Sequence, residues 1–99
     1  MNQEIVHLPH KSATGYTIPL GPLAIVMVVT DQGMIGCGAF DVLALDRFGY
    51  PAARVRPSRG DSIATVDDLL NGIIKEVNRT AAGRGIREGM PVREALNLL

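Results

Sequence analysis

The sequence predicts an α+β domain: a small mixed, largely antiparallel sheet with a central hairpin and about three helices packed on it. Three observations predict it. Leu23-Ala-Ile-Val-Met-Val-Val29 is an unbroken apolar run rich in β-branched residues, which suits a strand covered on both faces in the middle of a sheet. Thr30-Asp-Gln-Gly33 follows with turn-forming residues, Gly33 among them as a candidate for positive φ, so the chain returns as an antiparallel partner. Beyond residue 65, apolar residues recur at helical spacing, and amphipathic helices can then cover the sheet.

The elements follow in order. Glu4 to Leu8 reads as a short strand ended by Pro9, and His10 to Gly15 as a polar turn. Tyr16 to Ile18 is extended until Pro19, Gly21 and Pro22 interrupt it. After the Leu23–Val29 strand and its turn, Met34 to Gly38 forms the returning strand. Asp41 caps a two-turn helix from Val42 to Phe48, with Gly49 just past its end. Ala52 to Arg56 is a further strand that places Arg54 and Arg56 on one face. Thr65 and Asp68 form a capping-box pair ahead of Val66, Leu69, Leu70, Ile73, Ile74, Val77 and Ala81. That spacing predicts one continuous helix ending at Gly83, with Gly72 inside it costing about 1 kcal/mol relative to alanine. Pro91 opens a last helix that buries Val92, Ala95, Leu96 and Leu99.

Composition bounds the function. With 99 residues, 46% of them apolar and 20% charged, the chain reads as one globular domain over residues 1–99. Ten basic residues balance ten acidic ones, and no aromatic residue is interleaved with the basic ones to stack bases, so no nucleic-acid partner is expected. The longest apolar run is far shorter than the ~20 residues that cross a bilayer. No basic segment leads into an apolar stretch at the start, so neither a membrane nor export is expected. Cys37 is the single cysteine, which excludes an internal disulfide and fits a reducing, cytoplasmic setting. A chain this small leaves apolar surface over, and that predicts a homo-oligomer, most simply a homodimer. Charge is uneven: residues 1–46 hold Lys11 against Glu4, Asp31, Asp41 and Asp46, whereas residues 47–99 hold nine bases against six acids. Such asymmetry steers a ligand or pairs the two halves across an interface.

Met34-Ile-Gly-Cys-Gly-Ala-Phe-Asp-Val-Leu-Ala-Leu-Asp46, following an apolar hairpin, resembles the central signature of the YunC-like domains of unknown function. The Thr65-Val-Asp-Asp-Leu-Leu70 helix start is similar as well, as are Gly85-Ile-Arg-Glu-Gly-Met90 and Glu94-Ala-Leu96. The likeness runs roughly from Tyr16 to Leu99 and lies in the order and spacing of these segments. It implies a single domain with a mixed sheet, brings no established activity, and supplies no catalytic residues.

Two groups of residues are candidates for chemistry. Cys37 stands between Gly36 and Gly38, which leave its sulfur open to a ligand or to a packed backbone, and it precedes a helix start that can favour a thiolate. A thiol nucleophile needs help, from Asp41 or from His7 or His10; the competing account is a small apolar side chain within the sheet. His7-Leu-Pro-His10 with Cys37 and Asp41 is a weak metal pattern, and no metal or cofactor is expected. Arg54, Arg56 and Arg59 precede the Thr65 helix start and have the fork geometry that suits carboxylate or phosphate. Arg84 and Arg87 lie in a Gly-rich connection, which is neither a P-loop nor a dinucleotide fingerprint. The competing account makes these arginines solvated charges or partners of Asp31, Asp41, Asp46 and Asp61. Arg59-Gly-Asp61 as an adhesion tripeptide needs an extracellular setting that nothing supports.

The expectation is a cytoplasmic, oligomeric binding or interaction domain for a small anionic ligand, held by Arg54, Arg56 and Arg59. The alternatives are a thiol-dependent enzyme with Cys37 as nucleophile, or a structural subunit of a larger complex.

Overall fold

Among the described residues six strands form one mixed sheet whose spatial order, β1-β2-β3-β4-β5-β6, repeats their order in the chain. The computed structural model describes residues 2–58 and 62–99. The strands are β1 (Asn2–His7), β2 (Ser12–Leu20), β3 (Leu23–Val29), β4 (Met34–Gly36), β5 (Ala52–Arg56) and β6 (Ile73–Val77). Neighbours are antiparallel except β4 and β5, which run parallel. Among the described residues four short helices accompany them: α1 (Val42–Asp46), α2 (Val66–Leu70), α3 (Arg79–Ala82) and α4 (Val92–Leu96). The α+β class and the central hairpin stand as expected, with one more helix.

The larger core lies on one sheet face, where Val26, Val28, Ile35 and Ile74 meet Val66 and Leu69 of α2 and Val92 and Leu96 of α4. On the opposite face α1 buries Val42 against Met34 and Ala52. This second layer is small. Val26 and Val28 are therefore wholly buried, while Ile25, Met27 and Val29 on the other side of β3 are half-buried and Leu23 is exposed. The expected full cover on both faces of this strand holds for one face alone, because five residues of α1 are too few to blanket the other.

The amino-terminal hairpin departs from expectation. Residues 12–15 continue β2 instead of forming a turn, pairing with Ile5 to His7 and Glu4. Ala13 and Gly15 supply the buried alternate positions of that strand. Pro19 stays within β2 because its partner on β1 would lie beyond Asn2, the last paired residue there; its missing N–H removes no ladder bond. At the next hairpin Gly33 takes no positive φ. The Thr30 hydroxyl builds that turn by accepting from the amides of Gln32 and Gly33 at 3.0 and 3.1 Å. Glycine is required at 33 for a different reason: a Cβ there would sit 2.3 Å from the Pro51 carbonyl oxygen.

The long helix expected from Val66 to Ala81 is three elements. The capping box at Thr65 and Asp68 forms, but α2 stops at Leu70 and the chain passes through Gly72 into β6. Ile73, Ile74 and Val77 are β-branched and favour extended backbone. Glycine at 72 lets the backbone pass the Arg56 carbonyl, 3.0 Å from where a Cβ would lie. Apolar residues at helical spacing are buried here by a helix and then by a strand. Asn78 next caps α3, accepting from the Ala81 amide. The outer edge of β6 is closed by the segment before α4, where Ile74 N–H donates to Met90 O at 2.9 Å and Gly89 N–H donates to Ile74 O at 2.8 Å. Pro91 is the cap of α4, with extended ψ, rather than its first helical residue. Likewise α1 ends at Asp46, two residues short of the expected Phe48, and a turn leads to Gly49 at φ 66°.

Candidate ligand-binding cleft

The site arises from a strand that stops early. β4 reaches only Gly36, and Cys37 makes one last bond, its N–H donating to Val26 O at 2.9 Å. The chain then leaves at Gly38 toward α1. β3 on one side and β5 on the other extend further, so their ends face each other across a missing strand. A cleft of about 600 Å³ occupies this gap, walled by the β2–β3 turn, by Cys37 and Gly38, by the end of β5, and by residues 62–64. It lies beyond the carboxyl ends of the two parallel strands.

The two glycines beside Cys37 serve different purposes. A Cβ at Gly36 would lie 2.3 Å from the Phe40 ring, so this glycine leaves room for Phe40 against the sheet. A Cβ at Gly38 would meet nothing within 4 Å. Only Gly38 opens space.

Cys37 and the arginines border the same cleft from opposite faces of the sheet. Side chains alternate along a strand: Cys37 follows Ile35 onto the main core face, whereas Arg54 and Arg56 follow Ala52 onto the α1 face. The Cys37 side chain is 6% exposed. Arg54 is held at both ends of its fork, Nε donating to Glu76 Oε1 at 2.6 Å and Nη1 reaching Gly38 O at 3.5 Å. Arg56 is exposed and lines the cleft.

Lys75 joins them, and sequence reasoning missed it by placing it on the outer face of a helix. Arg54 pairs with Glu76 but Val55 pairs with Ile74, so Lys75 is the extra residue of a bulge. Bulges re-aim side chains, and Lys75 lines the cleft. The β-branched pair after Gly72 is the signal that would have revealed the strand.

The remaining candidates lie elsewhere. Asp41 caps α1, its carboxylate accepting from the Ala44 amide at 3.1 Å, and is not among the cleft residues. His7 and His10 are exposed and do not line it either. Among the described residues no three His, Cys, Asp or Glu side chains converge as a metal set would. Arg84 donates to Gln32 Oε1 at 2.8 Å and Arg87 to the carbonyls of Ala82 and Ile86, so neither joins the Arg54 group. Arg59, and with it Arg59-Gly-Asp61, lies outside the described residues. The acidic partners foreseen for the arginines are taken in part by others: Lys11 pairs with Asp31, and Arg79 with Asp46.

Fold and cleft together define a small α+β domain with a basic, thiol-bordered gap in a broken sheet. The chain belongs to the family called Domain of unknown function (DUF1805), whose profile matches residues 36–99. It is 34% identical to the uncharacterized protein YunC of Bacillus subtilis over 83 residues, 84% of this chain and 81% of that protein. The crystal structure of TA1206, a protein of unknown function from Thermoplasma acidophilum, shares the fold with a TM-score of 0.85 at 21% identity, covering 97% of this chain and 89% of the other. The YunC-like resemblance read from the sequence is thereby established. Among the described residues no helix is long and apolar enough to cross a membrane.

Proposed function

We propose that this domain is a cytoplasmic, self-associating binding module that takes a small anion into the cleft through Arg56, Arg54 and Lys75. One observation carries the reading: three cationic side chains from two adjacent strands line a single gap, with Glu76 the carboxylate bound to one of them. Guanidinium forks match carboxylate and phosphate. The test is thermal unfolding in a panel of phosphate, citrate and nucleotides. A tight anion raises the melting temperature by mass action, and the rise disappears in Arg56→Ala. A flat response to every anion overturns the reading.

Cys37 favours a second reading, a thiol-dependent enzyme, because its side chain borders the same gap. Thiol titration of the native protein across pH tests it. An apparent pKa well below the ordinary thiol range supports a nucleophile, and reaction only after denaturation removes one. Self-association rests on large apolar side chains left in solvent, with Phe48 83% and Ile5 68% exposed. Sedimentation equilibrium reads it directly, and a monomer at all concentrations refutes it. The single cysteine supports the reducing compartment.

A further inference from the structure

We infer that the ligand of this cleft is an extended acidic peptide that enters as the missing continuation of β4, an inference resting on the reading of the gap as an anion site. The hydrogen-bond parity of the sheet supplies the argument. Cys37 N–H donates to Val26 O, and Thr30 N–H donates to Gly33 O. Even-numbered residues of β3 therefore face β4, and by the same alternation the N–H and C=O of Ala24 point into the gap. On the other wall Met34 N–H donates to Pro51 O, while Asn78 N–H donates to Ala52 O. Odd-numbered carbonyls of β5 thus face β4, which aims Val55 C=O into the gap, and Pro57 beyond it has no N–H to offer. Both Ala24 and Val55 line the cleft.

The walls are next-but-one strands. Two strand spacings separate them by ~9.5 Å, the width that one extended chain fills. A peptide in this track pairs its backbone with Ala24 and Val55, as in recognition by strand addition. Its side chains alternate. One set meets Arg54, Arg56 and Lys75, and the other meets Cys37 and Ile63 on the core side. Among the described residues, nothing lies within 4 Å of where a Cβ on Gly38 would sit. The preferred pattern is acidic–small–acidic. A free phosphate satisfies the cations and leaves the Ala24 and Val55 main-chain groups unused.

Fluorescence polarisation with a labelled Glu-Ala-Glu-Ala peptide tests this, beside the same peptide N-methylated at its first alanine and its second glutamate, a Lys-Ala-Lys-Ala control, and inorganic phosphate as competitor. The expected result is binding at least tenfold tighter for the unmethylated acidic peptide, competition by phosphate, and loss in Arg56→Ala. Equal binding of the methylated and unmethylated peptides overturns strand completion and leaves the anion site standing. Stabilisation by phosphate without any peptide binding does the same. If neither phosphate nor peptide binds, both the inference and the reading beneath it fall.

Discussion

The carboxamide of Asn78 donates to the main-chain carbonyl of Tyr50 at 2.8 Å, joining the end of β6 to the approach to β5. The same nitrogen donates to Val42 O at 3.0 Å, and the side-chain oxygen accepts from the amides of Ala52 and Ala81 at 3.2 and 2.9 Å. Asn78 is completely buried. All four of its bonding positions are used, so one side chain fixes α1, the start of β5 and the cap of α3. It sets the position of β5, and through β5 the cleft.

Asn78→Ala strips partners from three buried main-chain groups and one half-buried one, and a loss of about 2–4 kcal/mol is expected from leaving buried polar atoms unpaired. Asn78→Asp keeps the two acceptor contacts but sets a carboxylate against the carbonyls of Tyr50 and Val42, so it too destabilises. Urea unfolding of both variants measures the effect. A midpoint unchanged in either one contradicts the account.

Gly36 and Phe40 form a packed pair. Gly36→Ala forces its methyl into the Phe40 ring, at 2.3 and 2.8 Å from two ring carbons, and overpacking of this kind costs about 1–3 kcal/mol. Gly38→Ala meets empty space and is expected to change stability by less than about 0.5 kcal/mol. The double change Gly36→Ala with Phe40→Ala recovers part of the first loss, which a double-mutant cycle in urea quantifies.

Acid weakens three local structures. Thr80 donates to Asp46 through its hydroxyl at 2.8 Å and its amide at 3.0 Å, and these bonds hold the Asp46 carboxyl below its ordinary value. The amides of Ala64 and Thr65 do the same for Asp68, and Gln32 and Lys11 for Asp31. Each pKa is lower folded than unfolded, so the unfolded chain takes up protons first as pH falls. The stabilisation is complete above the ordinary aspartate value of about 3.9 and declines below it, through the folded pKa. Asp46→Asn and Asp68→Asn are expected to flatten the acid limb of a melting-temperature profile. A wild-type limb retained in both variants contradicts this.

Glu76 restrains Arg54. The ion pair is partly buried, with side-chain exposures of 28% and 33%. Glu76→Gln keeps an acceptor near Arg54 while removing the negative charge beside the cleft. Phosphate affinity is expected to rise about threefold to tenfold at low salt, and the gain shrinks as ionic strength screens it. Titration calorimetry at two salt concentrations distinguishes this from a change in fold.

Much of the fold was legible because the strongest signals are local. Leu23–Val29 announced its strand by composition, Thr65 with Asp68 announced a helix start, and Ala52–Arg56 was placed to the residue. The failures share a cause. Residues 66–81 bury their apolar positions at a spacing compatible with a helix, and tertiary pairing with β5 decided otherwise at Gly72. Ser12–Gly15 looked polar, yet an edge hairpin needs only alternate burial, which Ala13 and Gly15 provide. For the site, Cys37, Arg54 and Arg56 were readable as residue types. Their shared cleft was not, because it depends on where β4 stops, and Lys75 depends on a bulge that no single-residue propensity encodes.

A sheet laid out in the sequence of its own synthesis has a kinetic corollary. Each strand pairs with the one made just before it, so the three amino-terminal hairpins close over short turns, and local closures of this kind are fast for β structure. On a ribosome, β1 to β4 can zip together by successive hairpins before the carboxyl half emerges. The seams that span longer stretches of chain, β4–β5 across α1 and β5–β6 across α2, are then the slow steps of assembly.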